Sequence, residues 1–197
     1  MKKFLSLLLA MILVLSMVAC GNSKKNDDDD DDDSYGGKTS ASEIVSSKKT
    51  FYDYVVANGE YYDGDYFLSD TFYSDGSEFS FSFIASDDKS LNLYCTITSD
   101  EYSTSSLLSR KAGESTYSAF VTTEISGTEY SAIATVYPSS FNKNTESFSD
   151  FYSEAPSSIH ESLNGLLAST TKVNISCAKL VLEEEGFTLS DIGFTNY

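Results

Sequence analysis

The chain has 197 residues, a formal net charge of -17 and 41% hydrophobic residues, which is enough apolar material for one core of domain size. Binding to nucleic-acid phosphates or to anionic lipid headgroups requires clustered Lys and Arg, so the acidic balance excludes both for the folded part. The chain contains 14 Tyr, 13 Phe and no Trp, and is rich in Ser and Thr. This composition favours strands and turns over long helices.

The first residues have the organisation of a secretion signal. Lys2 and Lys3 precede an apolar run over residues 4–19, which is shorter than the roughly 20 residues that a membrane-spanning helix needs. The sequence Met17-Val18-Ala19-Cys20-Gly21 then resembles the lipobox of bacterial lipoproteins. The resemblance covers residues 1–23 only.

This resemblance implies a covalent lipid anchor. Cys20 would receive a diacylglyceryl group, and a signal peptidase would then cut before it and remove residues 1–19. Two long acyl chains bury enough CH₂ groups for stable membrane attachment, whereas a single shorter chain binds only weakly. The implied location is the cell membrane, on the side that faces away from the cytoplasm.

Residues 20–39 are polar and strongly charged. Seven consecutive aspartates at positions 27–33 repel one another, and the segment has almost no apolar side chain to repay the entropy of ordering. We expect a disordered acidic tether in front of a single domain at residues 40–197. A run of Asp without a shaped loop attracts cations only diffusely, so neither a metal site nor a cofactor is expected.

The first element predicted in the domain is a helix over residues 42–57. Ser40 and Glu43 fit the ends of a capping box, apolar side chains follow at near-helical spacing, and Asn58-Gly59 provides a stop signal.

From residue 61 to 137 the apolar period changes to two, which predicts strands. Apolar and polar residues alternate in four runs, at 79–83, 91–97, 117–125 and 130–136, and residues 66–73 predict a fifth strand. Turn signals separate these runs at Asp75-Gly76, Asp87-Asp88-Lys89, Ala112-Gly113 and Ser126-Gly127. Such short connections join antiparallel neighbours.

The C-terminal segment predicts further helix. Ser158 and Glu161 fit a second capping box. Residues 172–182 fit both a helical face and strand alternation. The residues that lead up to Gly186 are typical of the end of a helix, so helix is favoured, although three glutamates at this end oppose the helix dipole. Residues 187–197 are expected to form an extended tail that packs through Phe187, Leu189, Ile192 and Phe194.

The predicted fold class is therefore α+β. It is an antiparallel β-meander of four to five strands, packed by an N-terminal helix and C-terminal helical segments, because an apolar sheet face must be covered.

Two cysteines remain besides Cys20. Cys95 and Cys177 each lie on the apolar face of a predicted element, so both are expected in the same core. Outside the cytoplasm they could form a disulfide, and the alternative is a pair of buried, unreactive thiols. The single histidine, His160, lies in the first turn of a predicted helix and is interpreted as an exposed helix residue. One His and no Cys pair at ligand spacing do not predict a zinc site.

Aromatic residues are densest between positions 51 and 83. Tyr61, Tyr62 and Tyr66 are interleaved with Asp63, Gly64 and Asp65. Exposed Tyr beside carboxylates can stack on sugars or bind peptides, so these three tyrosines form a candidate ligand patch. The alternative is that they line the sheet with their hydroxyl groups in water.

These observations favour a lipid-anchored surface protein with a non-enzymatic interaction domain, expected to be a monomer. Its partner would be an envelope protein, a peptide or a glycan. A small-ligand binder with a pocket between sheet and helix is the second hypothesis, and a hydrolase using paired carboxylates is the third. A filled core with a flat aromatic patch would favour the first, a cavity the second, and a cleft with two facing acids the third.

Overall fold

The computed structural model describes residues 50–99, 103–125 and 127–197, and the predicted signal peptide and tether lie outside them. The described residues form one eight-stranded antiparallel sheet whose strands follow one another in chain order. The strands are β1 (Glu60–Tyr62), β2 (Asp65–Ser74), β3 (Ser77–Ser86), β4 (Leu91–Thr98), β5 (Ser103–Arg110), β6 (Tyr117–Ile125), β7 (Thr128–Val136) and β8 (Tyr152–Ser153). The α+β class and the meander are confirmed, whereas the predicted count of four to five strands is wrong.

The prediction omits β1, β5 and β8. β1 and β8 contain only three and two residues, too few to show a period. β5 is longer, but its core-facing side chains include Thr104 and Ser106, which are 2% and 1% exposed. Because these inward residues are polar, the strand lacks the apolar alternation by which the others were recognised.

The β2–β3 and β1–β2 hairpins have tight two-residue turns. Asp75 and Gly76 both have positive φ, at 49° and 76°, between the paired residues Ser74 and Ser77. Positive φ at both central positions matches the right-handed twist of the flanking strands, and Asp-Gly is the preferred sequence for it. This predicted turn is confirmed. Asp63-Gly64 forms the same kind of turn between β1 and β2, with φ of 48° and 95°.

Helix α1 (Phe51–Asn58) begins later than predicted. Thr50 has an extended backbone and accepts a hydrogen bond from the Asp53 amide, while the Asp53 carboxylate accepts from the Thr50 amide at 2.7 Å. This capping box starts the helix at Phe51, so a continuous helix over 42–57 is wrong. The predicted cap at Ser40 and Glu43 lies outside the described residues.

Helix α2 (His160–Glu184) is 25 residues long, so residues 172–182 are helical as favoured. The predicted capping box at Ser158 and Glu161 is wrong, because the N-cap is Ile159 and makes no side-chain cap bond. The chain enters the helix through a 3₁₀ turn at Ser157–Ile159 instead. The helix stops before Gly186, whose φ of 80° ends the regular backbone.

Partner groups make the glutamates at the end of α2 compatible with the fold, and one such group is the Lys179 ammonium, 3.6 Å from the Glu183 carboxylate. The hydroxyl of Tyr54, on α1, donates a hydrogen bond to the Glu185 carboxylate. Burial raises the pKa of the Tyr54 phenol, and the contact with Glu185 raises it further.

Both helices pack on one face of the sheet, α2 against β3 to β7 and α1 against β2 and β3. The C-terminal tail completes the core with the buried side chains of Phe187, Ile192 and Phe194, and with the partly buried Leu189. The predicted packing of the tail is thus confirmed. The tail is not extended throughout, because Leu189–Ile192 form a 3₁₀ turn.

Candidate interaction surface

The opposite face of the sheet is open among the described residues. Along β3, β4 and β6, side chains alternate between buried positions toward the helices and exposed or half-buried positions away from them. A partner can reach this open face without displacing either helix.

Five large side chains with apolar surface form one continuous line across the open face. They lie directly opposite one another on successive strands from β4 to β8: Tyr94, Leu107, Phe120, Ile133 and Tyr152, named here the apolar row. At about 4.8 Å between neighbouring strands, the row is roughly 19 Å long. Such a line requires four strand pairs in register and arises only in the folded sheet.

Four of the five members of the apolar row are exposed to solvent, and Leu107 is half-buried. Phe120 is 37% exposed, Ile133 40% and Tyr152 60%. Scattered apolar side chains are normal on protein surfaces, but contiguous exposed apolar patches mark interaction sites. The row is contiguous, so it is the candidate functional site.

The apolar row was not predicted, although the sequence contains a signal for it. Alternating strands should place a polar residue at every second position, yet three strands carry consecutive apolar residues. Examples are Leu107-Leu108 in β5, Phe120-Val121 in β6 and Ile133-Ala134 in β7. In each pair the second residue is buried, so the first must point to the open face.

A row of hydroxyl groups lies beside the apolar row. Ser105 and Thr122 are direct cross-strand partners, and so are Thr122 and Ser131. The Tyr94 hydroxyl donates to Ser105 Oγ at 3.1 Å, and the hydroxyls of Thr122 and Ser131 lie 3.3 Å apart. Because these Ser and Thr side chains are short, the larger side chains of the apolar row protrude beyond them. A partner can therefore contact the apolar row from the side as well as from above.

At its β7–β8 end the apolar row forms one wall of an open groove of about 460 Å³. Phe120, Ile133 and Tyr152 line it together with the carboxylates of Glu129 and Glu154. The groove therefore combines apolar surface with negative charge.

The structure separates the three tyrosines of the predicted ligand patch. Tyr61 and Tyr66 are cross-strand partners with ring centroids 5.1 Å apart. Tyr62 pairs with Asp65 instead, so it points to the other face of the sheet. Tyr61 and Tyr62 are 64% and 75% exposed, whereas Tyr66 packs partly against the core. Only two of the three tyrosines thus share one surface.

Cys95 and Cys177 lie together in the core, as the sequence analysis expected. Both thiols are free and buried, Cys95 on β4 and Cys177 on α2. A side-chain hydrogen bond with Cys95 raises the pKa of the Cys177 thiol, and burial raises it further. The thiolate is the reactive form of cysteine, so this environment makes Cys177 a poor nucleophile.

We predict that neither cysteine reacts with iodoacetamide in the native protein at pH 8, because both sulfurs are buried. After unfolding in urea without reductant, two labels are expected by intact-mass analysis. If a disulfide joins Cys95 and Cys177, the unfolded protein will take up two labels only after reduction, and the free-thiol state seen here will be contradicted.

His160 is half-buried rather than exposed. Its Nε2 atom lies 2.7 Å from the carbonyl oxygen of Ala155, and its ring makes an edge contact with Phe151. Through these contacts the imidazole holds the turn that leads into α2. Among the described residues, no three His, Cys, Asp or Glu side chains are grouped so that they could hold a metal ion.

Comparison of the sequence and structure with family models, curated proteins and solved structures found no match. Within the described ranges, no helix combines the length and the apolar character needed to cross a membrane.

Proposed function

We propose that this chain is a lipid-anchored extracytoplasmic lipoprotein whose domain binds a macromolecular partner through the apolar row and does not catalyse a reaction. The contiguous, exposed row on the open face of the sheet is the observation that carries the binding proposal. The lipobox resemblance at Cys20 supports the anchor.

The packing of the core supports a surface site over a buried pocket. Large side chains fill the space between the sheet and α2: Phe81, Leu93, Leu108, Leu167 and Ile175 are all at most 1% exposed. A filled core with an apolar surface row is the arrangement that favours an interaction domain over a binder of small molecules.

Replacement of Cys20 by Ser is expected to prevent lipid attachment, so a variant chain that has lost residues 1–19 should leave the membrane fraction, because the serine hydroxyl cannot receive the thioether-linked diacylglyceryl group. Cell fractionation with immunoblotting measures this change. The variant Ser23→Ala should leave the distribution unchanged. Membrane retention of a Cys20→Ser chain that lacks residues 1–19, or a native mass that still includes these residues, would contradict the anchor.

Binding through the apolar row predicts position-dependent crosslinking in intact cells. A photoreactive benzoylphenylalanine at position 120 should give a discrete crosslinked band with the partner. The same group at Leu180 on α2 should not, although Leu180 is 38% exposed and so matches Phe120 in accessibility. Immunoblotting after irradiation compares the two positions.

A second variant separates binding from folding in this experiment. Phe120→Ser removes the centre of the row but should change the free energy of unfolding by less than about 1 kcal/mol, because the side chain is already partly in water. When crosslinking is performed from position 133, this substitution should abolish the band. Equal bands from positions 120 and 180 would refute the proposed surface.

A further inference from the structure

We propose that the groove at the β7–β8 end of the apolar row binds an extended segment of another protein that carries both large apolar side chains and Lys or Arg. This inference rests on the proposed function and identifies its partner by chemistry. The observation behind it is a line of apolar side chains whose groove is also lined by the exposed Glu129 and Glu154, with the exposed Glu124 directly opposite Glu129 on β6.

The placement of Glu124 and Glu129 is unfavourable for the stability of the sheet. Glu124 and Glu129 are direct cross-strand partners, and like charges in this arrangement destabilise a sheet. In the described part of the chain, the salt bridge found is Lys179–Glu183 on α2, and no Lys or Arg neutralises these three glutamates. Cationic groups of a partner would relieve this repulsion.

Overall charge argues against two other occupants of the groove. A second copy of this chain would bring another net charge of -17 to the surface, which opposes association. Anionic envelope polymers would be repelled for the same reason. A cationic protein segment is attracted over the whole approach as well as at the groove.

The shape of the apolar row favours side chains of a protein over sugar rings. Leu107 and Ile133 are branched aliphatic residues that separate the aromatic rings of the row, so the row provides no continuous flat surface for stacking, and the chain has no Trp. Leu, Ile and aromatic side chains of a partner can instead pack between the members of the row. An extended segment spans the roughly 19 Å of the row with about six residues.

β8 covers the outer edge of β7, so the partner cannot join the sheet as a strand paired with β7. β8 pairs with Ile133 and Ala132 of β7. On either side of this pairing, the Asp150 carboxylate accepts the Thr135 amide at 2.9 Å, and the Ser153 hydroxyl donates to the Ser131 carbonyl at 2.7 Å. These contacts occupy backbone groups that an added strand would need.

The test uses the full lipid-bearing protein in neutral detergent and two fluorescent heptapeptides of opposite charge, Lys-Phe-Lys-Leu-Lys-Phe-Lys and Glu-Phe-Glu-Leu-Glu-Phe-Glu. The cationic peptide should bind at least about tenfold more tightly by fluorescence anisotropy, and added salt should weaken it. Phe120→Ser in the same detergent should abolish the binding, which corrects for peptide held by the micelle.

A charge-matched pair of double variants locates the site. Glu124→Gln/Glu129→Gln should weaken binding of the cationic peptide about three- to tenfold. Glu78→Gln/Glu114→Gln should leave this binding unchanged, because it removes the same charge elsewhere on the protein. Equal binding of both peptides, equal effects of the two variants, preference for the neutral sugar chitotetraose, or self-association through Phe120 in sedimentation would each overturn the inference. Crosslinking from position 120 tests the proposed surface separately, so a crosslink without peptide preference would overturn the partner class alone.

Discussion

Replacement of Asn174 by Asp is expected to destabilise the fold by about 3–5 kcal/mol, a large part of the stability of a typical domain. Asn174 lies in the middle of α2 and is fully buried. Its Nδ2 atom donates to the carbonyl oxygens of Leu93 on β4 at 2.9 Å and of Ser106 on β5 at 3.3 Å. In the Asp variant, a carboxylate oxygen would replace this donor and face both carbonyl oxygens.

The second side-chain atom of Asn174 adds to this penalty. Its Oδ1 atom is buried without a hydrogen-bond partner among the described residues. In the Asp variant both oxygens would share an uncompensated negative charge in the core. Burial would therefore raise the pKa of the new carboxyl, so the penalty should be largest at neutral pH and decrease as the pH falls toward about 4.

Urea unfolding followed by circular dichroism measures this effect, with two comparison variants. Asn174→Leu loses the hydrogen bonds of the side-chain amide but also removes the unpaired Oδ1 atom, so it should lower the free energy of unfolding by less than Asn174→Asp does. Asn144→Asp makes the same chemical change in an exposed loop and should change the free energy of unfolding by less than about 0.5 kcal/mol. A loss below about 1 kcal/mol in Asn174→Asp would show that the buried amide does not fix α2 to the sheet.

Asn174 also explains why part of the fold could be predicted and part could not. β3 and β4 bury Phe and Leu at every second residue, and this local period is visible in the sequence. β5 places Thr104 and Ser106 in the core, and the Ser106 hydroxyl is tolerated there because the Asn174 amide of α2 donates to it at 3.4 Å, whereas Thr104 Oγ1 has no partner among the described residues. The pairing joins residues 68 positions apart, so no window of the sequence can show it.

The candidate site was hidden for a similar reason. Consecutive apolar residues in β5, β6 and β7 place one residue of each pair on the open face, but only the register of the strand pairs shows that Leu107, Phe120 and Ile133 lie opposite one another there. The local aromatic density instead predicted a patch of Tyr61, Tyr62 and Tyr66, but strand alternation places Tyr62 on the other face of the sheet from the Tyr61–Tyr66 pair. Local composition identified aromatic residues, but the surface they form depends on nonlocal pairing.

The free energy of unfolding is expected to fall by about 2–3 kcal/mol between pH 10 and pH 12 through the ionisation of Tyr117 alone. This side chain is fully buried, and its hydroxyl donates to the Ile192 carbonyl oxygen at 2.8 Å, which holds the C-terminal tail on β6. Arg110 donates to the same oxygen at 2.9 Å and lies over the Tyr117 ring. Burial raises the pKa of Tyr117 to about 12, although the Arg110 charge opposes the shift.

The sign of the pH dependence follows from the two protonation states. An unfolded tyrosine ionises near pH 10, whereas the folded Tyr117 keeps its proton to about pH 12. Between these values the unfolded state binds fewer protons, so the free energy of unfolding decreases as the pH rises. The stabilisation is therefore complete below about pH 10 and is lost progressively toward pH 12.

Comparison with Tyr117→Phe isolates this contribution from other groups that titrate in the same range. At pH 7 the variant should be less stable by about 1–2 kcal/mol, because the hydrogen bond to Ile192 is lost. Since Phe cannot ionise, the difference between the two proteins should shrink in urea unfolding above pH 10. Tyr73→Phe, at a residue that is 74% exposed, should change stability at pH 7 by less than about 0.5 kcal/mol. A difference between wild type and Tyr117→Phe that stays constant from pH 7 to pH 11.5 would show that the buried phenol does not couple the C-terminal tail to pH.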